Sequence, residues 1–208
     1  MPTELVVKVG GSLYSLPNLG RYLRTWLGTQ LPRRVLIIPG GGPAADMVRH
    51  VDALDQLGEQ RCHWLALRAL TLTAHVLAAR LPGGCVIDNL DDRQKAWRRD
   101  QMTILDMHAF ALADEARPDH LPHLWAVTSD SLAARVAIVA GIPELVLLKS
   151  CDMPADCDWQ EAARRGFVDT AFPEVLAKAN PKLRVTTLNF RRWLAADTSA
   201  APEQDLPP

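Results

Sequence analysis

A three-layer α/β/α sandwich around a largely parallel central sheet is the fold class this sequence predicts. Two observations carry the expectation. Short runs rich in Val, Ile and Leu, at Leu5 to Val9 and Arg34 to Pro39, each end in a glycine cluster and each lead into a helical pattern, at Leu16 to Leu27 and Ala44 to Leu57. Strand, glycine turn and helix are thus written twice in the first sixty residues, and later segments keep alternating, which makes the strands parallel and covers both faces with helices.

The two helices begin near Pro17 and Pro43, where a first turn tolerates proline. Glu59 to Leu81 is a longer helix with Trp64, Leu67, Leu70, Leu77 and Leu81 on one face, stopped by Pro82 and two glycines. Cys85 to Asp88 reads as a short strand, Asp91 to Asp100 as a solvated helix or loop, and Met102 to Leu105 as a further strand. Trp125 to Thr128 reads as a strand end. Ser129 to Ala140 follows as a helix with Ser129 as its N-cap, then Glu144 to Leu148 as a strand. Short helices at Trp159 to Arg165 and Pro173 to Ala179 lead to a late strand at Leu183 to Asn189. Residues 1–194 are expected to form one domain, and 195–208, with little to bury, a disordered tail.

A chain of 208 residues supports one full hydrophobic core, and therefore one active centre. Its formal net charge of -1 offers no broad basic face for a nucleic-acid backbone, so no nucleic-acid partner is expected. Glu4 and Lys8 interrupt the first apolar run, which does not read as a secretory signal, and no run approaches the roughly 20 apolar residues of a membrane span. Cys62, Cys85, Cys151 and Cys157 lack paired spacing and read as reduced thiols. The expectation is a cytoplasmic protein without a membrane partner.

Three motifs carry chemistry. Lys8-Val9-Gly10-Gly11-Ser12 sets a cation at a strand end beside glycines that let backbone amides approach a polyphosphate; the competing reading is a tight turn with a solvated lysine. Pro39-Gly40-Gly41-Gly42-Pro43 repeats the arrangement, with three glycines opening onto a helix N-terminus that favours an anion. Two anion sites at neighbouring strand ends suggest a phosphate donor and an acceptor. In Thr128-Ser129-Asp130-Ser131, Asp130 stands in a first helical turn of the same crevice, where an acid can equally be a dipole partner. Asp46 and Arg49, at i and i+3, face one way and read either as acceptor contacts or as a surface ion pair. His63, His75, His108, His120 and His123 show no ligand spacing, so no protein-held metal is expected.

On KVGGS, PGGG, TSDSLAARVA followed by ELVLLKSCD, and the late RVTTLN, the chain resembles the amino acid kinase superfamily over roughly residues 4–190. Within it, PGGGPAADMVRH, LPHLWAVTSDSLAA and GFVDTAFPEVL are most similar to the aminomethylfuran-methyl phosphate kinases of methanofuran biosynthesis. The resemblance implies ATP as donor, with Mg2+ carried by the nucleotide, a small phosphorylated acceptor, and a homodimer or higher homo-oligomer. It implies that Lys8 reaches the transferring phosphoryl group and Asp130 orients it. Gly10, Gly11 and Ser12, with Lys149, Ser150 and Asp152, would serve the nucleotide. Gly40, Gly41, Gly42 and Ser129, with Asp46 and Arg49, would serve the acceptor.

Departures accompany the match. Many relatives carry Thr-Asp-Val-Asp-Gly beside the nucleotide, where this chain has Lys149-Ser150-Cys151-Asp152-Met153. The late strand ends Asn189-Phe190-Arg191-Arg192 where relatives often place a glycine, and a second phosphate-binding lysine has only Lys178 and Lys182 as candidates. Two alternatives stay open: a binding protein of this fold that has lost catalysis, and a kinase for another acceptor such as an acetylated amino acid or isopentenyl phosphate.

Overall fold

The computed structural model describes the backbone of residues 2–200 and the side chains of residues 2–196. Six strands form one sheet in the order β3-β4-β2-β1-β5-β6, every neighbouring pair parallel. These are β1 (Glu4–Val9), β2 (Arg34–Pro39), β3 (Gly84–Ile87), β4 (Met102–Leu105), β5 (Glu144–Lys149) and β6 (Arg184–Asn189). The chain builds outward from β1 to one side, then returns to add β5 and β6 on the other. Strand order therefore reverses about β1, and a ligand crevice belongs at the carboxyl edge there.

The period-2 alternation of side chains divides the core into two layers. Val6, Leu36, Ile38, Leu105 and Leu147 pack on one face against α5 (Met107–Asp114), α6 (Ser129–Ala140) and α8 (Phe172–Ala177). Leu5, Val7, Val9, Ile37 and Leu148 pack on the other, against α1 (Leu19–Gly28) and Phe190 of α9 (Phe190–Ala200). The long α3 (Glu59–Arg80) serves both layers, giving Leu67 and Leu70 to the first and Ala74 and Leu77 to the second. Between β2 and α3 lies α2 (Gly42–Asp55), and α7 (Trp159–Arg164) precedes α8.

Several local expectations are corrected. A 3-10 turn, Gly11–Ser15, precedes α1, which starts only at Leu19 because Leu16 is extended and Asn18 left-handed at φ 55. Asp91 to Asp100 is not wholly solvated: α4 (Arg93–Arg98) buries Ala96 and Trp97, and the Trp97 indole donates to Val35 O at 3.1 Å. Trp125 to Thr128 is not a strand. It ends the connection between α5 and α6, where Val127 N–H turns back to Leu124 O and Thr128 N–H goes to the Asp169 carboxylate instead of a sheet neighbour. Thr128, not Ser129, is the N-cap residue of α6, and Asp169 does the capping from a distance through Thr128 N and Ser131 N. The α5 helix was not anticipated; Asp106 caps it by accepting from His108 N and Ala109 N. The α9 helix crosses the expected boundary at 194/195 and continues to Ala200, while the remainder of the expected tail, 201–208, lies outside the described residues. Among the described residues no helix is long and apolar enough to cross a membrane.

Candidate active site

Val9 and Pro39 are register partners, so the two glycine turns leave β1 and β2 side by side at the same edge. A Cβ on Gly11 would stand 2.5 Å from Gly42 N, and one on Gly40 would stand 2.5 Å from Gly11 N. The two backbones touch, and a side chain at either place would force them apart. As first residues of their helical turns, Gly11 and Gly42 have amides without an acceptor in their own helix, the condition for meeting an anion. Gly10 departs from its expected role: its N–H donates to Leu148 O at 2.9 Å, tying β1 to β5 rather than serving a phosphate.

Beside these turns opens a cavity of about 550 Å³. Its walls bring together Gly11, Ser12, Gly41, Gly42, Asp46, Arg49 and Ser129 from the sequence reading. Gly40 is absent from the walls and serves the apposition of the two loops. Asp46 and Arg49 are both cavity wall and ion pair, at 2.8 Å, and the Arg49 guanidinium lies 5.4 Å over the Trp125 ring. Trp125, His63 and Arg191 complete the site unanticipated by the sequence reading. Trp125 is fixed by donating to Asp52 Oδ2 at 2.8 Å.

Behind Ser129 lies the charge centre. Lys8 on β1 and Lys149 at the end of the adjacent β5 both turn to Asp130 in the first turn of α6. Lys149 Nζ donates to Asp130 Oδ2 at 2.6 Å, and Lys8 Nζ stands 2.9 Å from Oδ1, which receives no well-aligned hydrogen bond. Lys8 and Asp130 side chains are each 6% exposed and Lys149 15%, so Lys149 is not the solvated lysine a strand end usually carries. Burial alone would raise the Asp130 carboxyl, but Lys8 and Lys149 hold it below the usual carboxylate range. Burial, then Lys8, pull the Lys149 ammonium below an ordinary lysine, against the opposing attraction of Asp130. Two cations thus share one acid. Asp169 also faces Lys149, but its oxygens already accept from the amides and hydroxyls of Thr128 and Ser131. An incoming anion would relieve this surplus of positive charge.

The residues that the resemblance assigns to a nucleotide lie at the same edge. Ser12 Oγ donates to Ser150 Oγ at 2.8 Å, and Asp152 accepts from Asn189 Nδ2 at 2.9 Å and pairs with Arg192 at 2.9 Å. Asp152 is held by the start of α9 and does not join Lys8 and Lys149. Neither Lys178, paired with Glu174 at 2.7 Å, nor exposed Lys182 lines the cavity. On the Ser12 side the cavity has Arg191, whose guanidinium donates to Ser12 O at 3.3 Å and Ser15 Oγ at 3.1 Å, while Arg49 stands on the Asp46 side. Although their sequence spacing shows no ligand pattern, Glu115, His120 and His123 bring their ligand atoms within 4.8 Å of one another.

Among solved structures the fold is similar to uridylate kinase from Archaeoglobus fulgidus, with a TM-score of 0.62 at 15% identity, covering 93% of this chain and 95% of that one. UMP kinase from Ureaplasma parvum gives a TM-score of 0.63 at 14% identity, covering 91% and 90%. The chain shares the fold of these two kinases. No protein-family model matches the chain. A curated relative, the [5-(aminomethyl)furan-3-yl]methyl phosphate kinase of Methanocaldococcus jannaschii, is 28% identical over 148 residues, which is 71% of this chain and 66% of that protein. This relative and the structural neighbours are all kinases.

Proposed function

We propose that this chain is an ATP-dependent kinase that transfers the γ-phosphoryl group to a small phosphorylated metabolite, with a furan-methyl phosphate of methanofuran-type one-carbon cofactor biosynthesis as the acceptor. The observation that carries the reading is the buried Lys8, Asp130 and Lys149 cluster beside two touching glycine turns and a cavity of about 550 Å³. The activity of the M. jannaschii relative supports the choice of acceptor.

The donor set fits a polyphosphate: the Gly11 amide, the Ser12 and Ser150 hydroxyls and the surplus cation. It fits Mg2+ only as an ion carried by the nucleotide, since Asp130 is engaged by two lysines and Asp152 by Asn189 and Arg192. Bound ATP supplies the phosphoryl group. Lys8 and Lys149 then stabilise charge on the oxygens of the group in transfer, and Asp130 holds both ammoniums in place. The free amide at Gly42 with Arg49 grips the acceptor's phosphate, whose attacking oxygen is already ionised and asks for no strong base. Asp46 can meet a positively charged group on the acceptor. In this proposal the enzyme works in the cytoplasm as a homodimer or higher homo-oligomer. Leu65, Leu72 and Val76, exposed along one stripe of α3, are the apolar surface that a second copy would cover, and sedimentation velocity tests it.

A kinase assay with ATP, Mg2+ and a panel of phosphomonoesters and carboxylates, read by product mass, tests donor and acceptor together. Lys8→Ala should lower kcat by about a hundredfold or more, the scale of losing one transition-state donor, with the far-UV spectrum unchanged. Turnover near the wild-type level would remove Lys8 from the mechanism. The altered Lys149 to Met153 segment favours one second reading, a non-catalytic nucleotide-binding protein. Tight ATP binding by calorimetry without transfer to any acceptor would select it.

A further inference from the structure

The connection between α5 and α6, residues 115–128, is long for a compact domain and contains no helix or strand. It nevertheless carries Trp125, Val127 and Thr128 to the wall of the acceptor cavity, so something must hold it in shape. Three of its side chains converge at its near end. His123 Nε2 lies 2.8 Å from Glu115 Oε1, and His120 Nδ1 lies 3.6 Å from the same oxygen. All three ligand atoms lie within 4.8 Å of one another, and a small void of about 10 Å³ adjoins them, near the size that admits a single water.

From this convergence we infer that Glu115, His120 and His123 form a binding site for one divalent transition-metal ion, zinc by its chemistry, which clips the α5–α6 connection. Two imidazoles and one carboxylate are ligands that zinc accepts in tetrahedral sites, with the fourth position left to water. Hard cations such as Mg2+ and Ca2+ prefer all-oxygen sets and fit poorly here. The neighbouring Arg135 guanidinium does not oppose a cation, because Asp114 and Asp119 engage it on both sides. His120 exchanges its present contact with Leu121 O, at 3.1 Å, for the metal, and any protonated imidazole releases its proton to solvent on binding.

The site also reaches the cavity. The His123 ring stacks on His63 at 5.3 Å between centroids, and His63 lines the acceptor cavity. A metal on His123 would therefore fix one wall of the place where the acceptor is proposed to sit.

The test uses the full chain without a histidine tag, stripped with chelator and titrated with Zn2+ alone against a chromophoric competitor, in the absence of nucleotide. Its result does not depend on whether the protein is a kinase. One equivalent should bind, and bound Zn2+ should raise the melting temperature. Co2+ in its place should give the intense visible bands of a tetrahedral site. Glu115→Gln, His120→Ala and His123→Ala should each weaken Zn2+ binding by more than about 100-fold, the upper end of what losing even an outer partner costs. His75→Ala, on the exposed face of α3, should leave the affinity unchanged. Glu115→Gln changes a partly exposed group and keeps the falsifying comparison intact if either histidine variant fails to fold. No saturable Zn2+ binding by the wild-type chain, or unchanged affinity in Glu115→Gln, overturns the assignment.

Discussion

Asp130 shows how a single carboxylate can hold two cations in one place. Because Lys149 is pulled below its ordinary value, it loses its charge at lower pH than a free lysine, whose pKa is about 10.4. ATP affinity should therefore fall as pH rises toward that value, with a midpoint below it. Lys149→Arg, whose charge persists at any accessible pH, should abolish this alkaline fall. Calorimetric titrations from about pH 7 to pH 10 check both; superimposable wild-type and Lys149→Arg profiles would show that Lys149 does not meet the nucleotide. Stability has the opposite edge. Asp130 is held below its unfolded value, so its contribution is present at neutral pH and is lost as pH falls through the acid range below the usual carboxyl pKa. Asp130→Ala, which leaves two buried ammoniums uncompensated, should cost about 3–5 kcal/mol in urea unfolding. Asp130 was legible because it sits in a motif at a helix start. Asp169, which secures the same helix start, was not: it lies inside GFVDTAFPEVL, about forty residues downstream, and nothing in local periodicity ties it to Thr128 and Ser131.

Elements were legible where pattern and punctuation agreed. The strands β2 and β4 match their expected bounds, as does the helix α6, because short Val, Ile and Leu runs end at glycine or charge and the Ser129 to Ala140 stretch ends at Gly141. The Trp-Ala-Val run before Thr128 misled, since Trp125 and Val127 face the cavity rather than a sheet neighbour. The glycines separate requirement from convenience. A Cβ on Gly11 would collide with the backbone of Gly42, whereas one on Gly28, the last residue of α1, would meet nothing within 4 Å. Gly28→Ala should thus stabilise the fold by about 0.4–1 kcal/mol by restricting the unfolded chain. Gly11→Ala should destabilise it and lower acceptor and ATP affinity together by pushing the two turns apart. Thermal unfolding with binding titrations checks the pair, and an unaltered affinity for both ligands in Gly11→Ala would mean the turns act independently.

At the scale of the whole molecule, the site depends on holding together segments that are far apart in sequence: the β1 and β2 turns, the start of α6, the end of β5 and the start of α9. Arg135 is one fastening beside the cavity. Its guanidinium is buried in α6 and donates to Asp114 at 2.8 and 2.9 Å and to Asp119 at 2.7 and 2.9 Å, joining the end of α5 and the following connection to the sheet-covering helix. The bonds from Arg135, acting against desolvation, hold the Asp119 carboxyl down to about 2. The Asp114 pair lies within the fold, with side chains 5% and 6% exposed, so removing the cation leaves a buried carboxylate with only the more exposed Arg117, 3.3 Å away, as its ion-pair partner. Arg135→Ala should therefore cost about 3–5 kcal/mol, appearing as a lower urea midpoint with an unchanged slope. Arg135→Lys should recover little, because one ammonium cannot replace the fork that spans two carboxylates. If the clamp served the connection alone, the midpoint would stay and only Trp125 fluorescence and acceptor KM would move. A shifted midpoint would mean that the cavity wall and the sheet unfold as one unit, and that the proposed acceptor site is as stable as the fold that carries it.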